Sequence, residues 1–239
     1  MKVLDLFSGI GGFSLGLERA GFETVAFCEI EDSPRQILAN HWPGVPIYDD
    51  VRKLTGNRLA ADGITADVIC GGFPCQPWSL VGKRRGTQDD RHLWPEYYRL
   101  IRELKPRWII GENVYGFIDM GLDQALSDLE SEGYTAEAFV IPACALRFDH
   151  RRDRVWIIAY ADSTRLQGWN ETLLSKWEAA ARHIGPLPWR ETSSRICRKS
   201  DGISKGMDRL KALGNAVVPQ IPELIGRAIM EYAARPGVG

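Results

Sequence analysis

The chain has 239 residues, 44% of them hydrophobic, enough for one good core with a small appendage, and its composition excludes a disordered chain. A formal net charge of -1 lacks the overall basic balance of a nucleic-acid binder, so any such role must rest on local clusters of charge. There is no run of about 18 apolar residues, and Met1-Lys2-Val3 leads straight into strand-like sequence rather than a signal peptide, which predicts a soluble, cytoplasmic protein.

Taken in chain order, short apolar runs alternate with amphipathic stretches over the first 160 residues. Strands are expected near residues 2–7, 24–27, 67–69, 108–110 and 154–159, and this alternation predicts an α/β fold with a largely parallel sheet. A helix should start at Asp32 or Ser33, capped by either side chain, with Pro34 in its first turn. A second is expected from Trp94, because Trp94, Tyr97, Ile101 and Leu104 recur at helical spacing until Lys105-Pro106 stops them; these aromatics read as core. Strand periodicity fades from about residue 162 to 205, where Trp169, Trp177, Pro186, Pro188 and Trp189 stand among Ser, Thr, Arg and Gly. A last helix, opened by Pro222 and carrying Leu224, Ile225, Ala228, Ile229 and Tyr232, closes the chain. Three parts follow: residues 1–161, an insert at 162–205, and a segment at 206–239 that returns to the first part.

Charge is clustered along this frame. Lys83-Arg84-Arg85 is one basic run, Arg147, Arg151, Arg152 and Arg154 form another, and between Arg190 and Lys211 seven Lys/Arg face three acids. Each cluster alone reads equally well as a solvated face or a contact surface.

Five cysteines, Cys28, Cys70, Cys75, Cys144 and Cys197, are odd in number and include no C-x-x-C pair, so neither a disulfide framework nor a zinc or other metal site is expected. Cys75 differs from the others. It lies between two prolines in Gly71-Gly72-Phe73-Pro74-Cys75-Gln76-Pro77-Trp78-Ser79, directly after an expected strand, where a loop presents a side chain rather than burying it. A thiol of ordinary pKa near 8.5 is mostly protonated at neutral pH, so a nucleophilic role calls for nearby positive charge, which Arg152 and Arg154 can supply. Cys28, Cys70 and Cys144 sit in apolar surroundings and read as structural.

Two further constellations share the expected sheet rim. Strand one ends in Asp5-Leu6-Phe7-Ser8-Gly9-Ile10-Gly11-Gly12-Phe13, leading into a helix, and Glu29 ends the next strand. Glycines there allow a sharp turn and close approach of a ligand, and a carboxylate so placed can take two ribose hydroxyls. The pattern is not G-x-G-x-x-G, which disfavours a nicotinamide or flavin cofactor. Glu112-Asn113-Val114 follows the strand at 108–110, putting Glu112 on the same rim as Cys75, either as a solvated loop residue or as an acid acting on a substrate ring nitrogen.

Together, Phe7-Ser8-Gly9-Ile10-Gly11-Gly12, Gly72-Phe73-Pro74-Cys75-Gln76, Glu112-Asn113-Val114, Arg152-Asp153-Arg154 and Gly214-Asn215-Ala216-Val217-Val218-Pro219 occur in order and spacing similar to those of cytosine-5 DNA methyltransferases of bacterial or phage type, over about residues 1–160 and 208–235. The resemblance implies a Rossmann-like methyltransferase fold with a small inserted target-recognition lobe, and transfer of a methyl group from S-adenosylmethionine, which leaves as S-adenosylhomocysteine, to carbon 5 of a flipped-out cytosine in double-stranded DNA. Carried over, Cys75 is the nucleophile, Glu112 contacts and protonates ring nitrogen 3, and Arg152 and Arg154 stabilise the site. The cofactor is expected against Phe7, Gly9, Ile10, Gly11 and Gly12, with Glu29 on the ribose, Asp50 near the adenine, and Ile30, Val51, Pro74, Leu93, Asn215 and Ala216 completing the pocket. Gln76, Ser79 and the Lys83-Arg84-Arg85 loop look like the segment that closes on DNA. In the insert, Arg165, Arg195 and Arg198 are of the types that read guanine edges or phosphates.

Departures from the family pattern are His150-Arg151, where Gln usually precedes the Arg-x-Arg pair, and an insert of about 45 residues, short for the family. Two alternatives stay open: a tRNA cytosine-5 methyltransferase, and a non-catalytic DNA-binding relative. A monomer is expected, associated in function with a restriction endonuclease without binding it as a subunit, and with no membrane partner.

Overall fold

The computed structural model describes residues 1–74, 93–142, 153–161 and 217–234. Seven strands form one sheet in the order β3-β2-β1-β4-β5-β7-β6. They are β1 (Lys2–Leu6), β2 (Glu23–Cys28), β3 (Ile47–Tyr48), β4 (Val68–Gly71), β5 (Trp108–Val114), β6 (Thr135–Pro142) and β7 (Asp153–Tyr160). Neighbours pair in parallel from β3 through β5, whereas β7 runs antiparallel to both β5 and β6. This is the mostly parallel sheet that the alternating apolar runs predict, and each of the five strands expected from sequence is present.

The helices among the described residues are α1 (Gly12–Arg19), α2 (Asp32–His41), α3 (Gly56–Ala61), α4 (Trp94–Leu104), α5 (Asp123–Ser131) and α6 (Gln220–Ala233), with a π-helical turn at Ile118–Leu122. Central strand β1 is buried on both faces, so its run reads as continuous apolar sequence rather than alternation. Val3 on one face, with Val68, Cys70, Trp108, Ile110 and Trp156, packs under α1 and α6. Leu4 and Leu6 on the other, with Ile69, Ile109 and Ile157, pack under α3, α4 and α5. Helix α6 lies beside α1 so closely that a Cβ on Gly16 would sit 2.1 Å from the Pro219 carbonyl oxygen. Residues 217–234 therefore join the core built by the first strands and α1.

Two local expectations shift and one holds. Helix α2 starts at Asp32 with Glu31 as its cap residue and no side-chain cap bond, so neither Asp32 nor Ser33 plays the capping part. Helix α6 starts at Gln220, two residues before Pro222, which falls inside the first turn, where a missing N–H costs nothing. Helix α4 runs as expected and ends on Lys105 in the left-handed region.

Two strands were not anticipated. β3 is a two-residue edge, and β6 opens with Thr-Ala-Glu-Ala, whose weak apolar signal suits an edge strand paired on one side only.

Candidate active site at the carboxyl ends of the strands

In this strand order the chain leaves β1 towards β2 on one side and β4 continues towards β5 on the other, opening a crevice at the carboxyl ends of β1 and β4 where open α/β sheets bind ligands. The loops after β1, β2, β4 and β5 meet there. Because β7 is antiparallel, its first residues, Asp153 and Arg154, reach the same rim as the end of β5.

The turn after β1 is tight. Phe7 and Gly9 both have φ of 53°, and a side chain held in this region marks a backbone fixed by its surroundings. Ser8 holds the turn by donating to the Asp5 carbonyl at 2.6 Å. Space in front of Gly9 is open, with nothing within 4 Å of a built Cβ, whereas Gly11 is backed by Trp42 at 2.6 Å and Gly12 by the Val217 carbonyl oxygen at 2.6 Å. Thus Gly9 leaves room for a ligand, while Gly11 and Gly12 are small because protein fills the space beside them. Ile10 is buried.

Glu29 is 7% exposed. Its Oε2 accepts from the Gly9 N–H at 2.7 Å and its Oε1 from the Glu31 N–H at 2.8 Å, so the carboxylate ties the β1 turn to the end of β2. Burial raises its pKa above the usual carboxylate value, against the pull of those two N–H bonds. Ile30 beside it is 58% exposed, an apolar side chain left open at the rim. Asp50 has both oxygens on the Arg52 guanidinium, at 2.9 and 3.0 Å, and the Arg52 hydrogen bonds hold its pKa below the usual value. Val51 is buried in the core beneath it.

Asp5, behind the turn, has no exposure. Its Oδ2 accepts from the Ser14 hydroxyl at 2.7 Å and the Ser14 N–H at 3.3 Å, near the start of α1. Burial pushes its pKa up to about 7, partly opposed by Ser14 and reinforced by the charge of Glu29. The same burial pushes the Cys28 thiol to about 12 and Cys70 well above its usual value, so neither is a nucleophile at neutral pH.

On the other side of the crevice, Glu112 and Arg154 form an ion pair, Oε1 to Nε 2.8 Å, largely shielded from solvent. In the register Glu112 faces Trp156 and Val114 faces Arg154, so the two side chains are diagonal neighbours on one face of the antiparallel pair. Glu112 Oε2 also lies 3.1 Å from where a Cβ on Gly72 would stand. Next to it, the buried Asn113 carboxamide donates to the Phe73 carbonyl at 3.0 Å. The Phe73 ring packs on Trp94, Tyr97 and Phe117 at centroid distances of 5.1, 5.5 and 5.3 Å. These contacts anchor the stem Gly72-Phe73-Pro74 that leads to Cys75. The Leu93 N–H donates to the Pro74 carbonyl at 3.4 Å, bringing together the residues on either side of positions 75–92.

Of the residues expected at the site, Phe7, Gly9, Ile10, Gly11, Gly12, Glu29, Ile30, Asp50, Val51, Pro74, Leu93, Glu112 and Arg154 are described. Cys75, Gln76, Ser79, Lys83, Arg84, Arg85, Arg152, Arg165, Arg195, Arg198, Asn215 and Ala216 lie outside the described residues. Supporting roles of Asp5, Ser14, Trp42 and Asn113 have no signature in spacing, because each rests on contacts between distant segments.

The profile of the family described as C-5 cytosine-specific DNA methylase matches residues 1–194. The Type II methyltransferase M.HgiBI of Herpetosiphon aurantiacus is 33% identical over 189 residues, covering 77% of this chain and 42% of that protein. M.NgoMIV of Neisseria gonorrhoeae, also a Type II methyltransferase, is 37% identical over 161 residues, 65% of this chain and 50% of that protein. The chain thus spans half or less of the length of these curated relatives. Among solved structures, the Dnmt2 methyltransferase of S. pombe superposes with a TM-score of 0.69 over 97% of this chain and 99% of that one, at 16% identity, a likeness of fold. From the profile match over most of its length, from identities above 30% and from the shared fold, the chain belongs to the C-5 cytosine-specific DNA methylase family.

Proposed function

We propose that this chain methylates carbon 5 of cytosine in double-stranded DNA, with Cys75 as covalent nucleophile. The observation that carries the reading is the shielded Glu112–Arg154 pair, set beside an Asn113-anchored stem whose next residue is Cys75.

An aromatic ring carbon is a poor nucleophile until covalent addition breaks its conjugation. In this reading the Cys75 thiolate forms a bond to carbon 6, Glu112 gives a proton to ring nitrogen 3, and carbon 5 gains electron density. Arg154, joined by Arg152, holds the Glu112 carboxyl in position and adds positive charge near the thiolate. After methylation the nitrogen 3 proton returns to Glu112, and loss of the carbon 5 proton to solvent re-forms the 5,6 double bond as the sulfur–carbon bond breaks, freeing the Cys75 thiolate.

The residues fit S-adenosylmethionine as cofactor. Open space faces Gly9, the Glu29 carboxylate stands at the turn to accept hydroxyl donors, and exposed Ile30 offers an apolar face to a base. When bound, S-adenosylmethionine supplies the electrophilic methyl group and S-adenosylhomocysteine leaves. Phe7, Gly11, Gly12, Asp50, Val51, Pro74, Leu93, Asn215 and Ala216 complete the pocket in this reading, with Glu29 on the ribose.

Flipping a cytosine costs a few kcal/mol of unstacking, which contacts by Gln76, Ser79 and Lys83-Arg84-Arg85 offset. Residues 162–205, with Arg165, Arg195 and Arg198, form the target-recognition insert, and 206–239 is the returning segment, a division supported by the packing of α6 on α1. The enzyme is taken to be a cytoplasmic monomer whose modification protects DNA from a separate restriction endonuclease, as the Type II names of its relatives suggest.

The test is transfer of labelled methyl from S-adenosylmethionine to duplex DNA of varied sequence by the full chain and by Cys75→Ser. Transfer to DNA by the wild type alone supports the reading. Label on RNA only would transfer the reading to tRNA cytosine, and DNA binding without any transfer would make the chain a non-catalytic relative. A duplex containing 5-fluorocytosine should trap a covalent adduct, because fluorine cannot leave as the carbon 5 proton does.

A further inference from the structure

The wall that carries Asp50 and Val51 has almost no sheet to hold it. It follows the two-residue strand β3 and turns on itself, with the Lys53 and Leu54 N–H groups both donating to the Asp50 carbonyl at 3.0 and 3.1 Å. Val51 and Leu54 bury their side chains in the core, and the backbone carbonyls of both are tied to helix α4 by one guanidinium. Arg99 Nη2 donates to the Val51 carbonyl at 2.9 Å and to the Leu54 carbonyl at 2.8 Å. Its Nε and Nη1 are held by Glu96 at 2.8 Å and Glu103 at 2.7 Å on the same helix. Glu103 also accepts from the Gly56 N–H at 2.7 Å, so helix and wall are joined at both ends of the turn. The first turn of α4 is in turn tied to the neck before Cys75, through the Leu93–Pro74 hydrogen bond.

We propose that Arg99 is a positioning residue for the cofactor site: it sets the Asp50–Val51 wall against α4 and thereby against the Pro74–Leu93 neck, without touching cofactor or substrate. This inference rests on the functional reading above, in which that wall faces the adenine. A rigid fork with donors on three nitrogens serves all four acceptors at once, which an ammonium with three donors on one nitrogen cannot copy. Without it, two inward-facing carbonyls lose their partners and the turn must seek water.

The experiment uses the full chain, Arg99→Ala, Arg99→Lys and, as a control on the same helix, Arg102→Ala, whose side chain instead pairs with Glu132. Two quantities are read: calorimetric Kd for S-adenosylhomocysteine, and amide hydrogen exchange of the peptide covering residues 50–56. Arg99→Ala should raise Kd about tenfold, the effect of one to two net hydrogen bonds, and exchange faster at 50–56. In turnover assays it should raise KM for S-adenosylmethionine while kcat at saturation stays within about threefold. Arg99→Lys should fall between, and Arg102→Ala should match the wild type.

Unchanged Kd despite faster exchange overturns the inference, as does a fall in kcat at constant KM. Loss of folding in both Arg99 variants also overturns it, since the residue would then serve stability at large. If the wild type itself binds neither S-adenosylmethionine nor S-adenosylhomocysteine, the functional reading falls and takes this inference with it, a result distinct from a failure confined to the variants.

Discussion

The side-chain nitrogen of Asn113 lies 3.0 Å from the carbonyl oxygen of Phe73, forty residues away in sequence and two residues before Cys75. Its carboxamide oxygen accepts from the Val114 N–H at 2.8 Å, so the amide is oriented at both ends and hangs the stem of the cysteine loop from the end of β5. Asn113→Ala should cost about 1–3 kcal/mol of stability, the usual effect of leaving a buried partner unpaired. It should also lower methyl transfer and the yield of 5-fluorocytosine adduct together, since both depend on where Cys75 is held. Urea denaturation and a gel assay of the adduct check the two effects, and normal adduct formation in a folded variant would refute the tether.

On the proposed mechanism, substitutions at Glu112 and Arg154 should separate acid chemistry from cofactor binding. Glu112→Gln keeps the size of the side chain and removes the proton donor, so transfer should fall by about 10²–10⁴-fold, with S-adenosylhomocysteine affinity unchanged. Arg154→Ala leaves a shielded carboxylate without its 2.8 Å partner and should slow transfer and lower stability together. Single-turnover kinetics and calorimetry read these; a Glu112→Gln enzyme of wild-type rate would exclude the acid role.

Asp5 makes stability depend on pH in the sense opposite to most carboxylates. Its folded pKa is pushed up to about 7 by burial, whereas an unfolded aspartate titrates near about 3.9. Between those values the folded state keeps a proton the unfolded chain has lost. Its contribution is therefore fully present below about pH 4 and lost as pH rises through about 7. In Asp5→Asn, which keeps an acceptor for Ser14, the difference in denaturation midpoint from wild type should grow in favour of the variant as pH rises from 4 to 7. Parallel profiles would show that Asp5 stays ionised.

Gly16 is a close contact point between α1 and the start of α6. A Cβ there would meet the Pro219 carbonyl oxygen at 2.1 Å and the Glu223 nitrogen at 2.9 Å, both backbone atoms that cannot swing aside. Gly16→Ala should destabilise by about 1–3 kcal/mol, even though alanine is the better helix former. An unchanged melting temperature would mean that α6 packs elsewhere.

By itself, the sequence determined the elements whose signal is local. Doubly buried strands announce themselves as apolar runs at 2–7 and 108–110, α4 as an amphipathic repeat, and the chemistry-bearing loops as motifs at the strand ends, because the ligand-facing residues of an α/β sheet sit where strands stop. Family membership was legible for the same reason. Edge strands β3 and β6 escaped notice, since pairing on one side demands little of their side chains. Only the tertiary structure decided why each glycine of the first turn is small: Gly9 faces open space, Gly11 a tryptophan and Gly12 a carbonyl, which are contacts across 31 and 205 residues in the latter two. It also decided that Glu112 meets Arg154, through the reversed direction of β7, and that Arg99 and Asn113 act as ties. Such roles belong to residues brought together by chain reversal and packing, and no spacing along the chain encodes them.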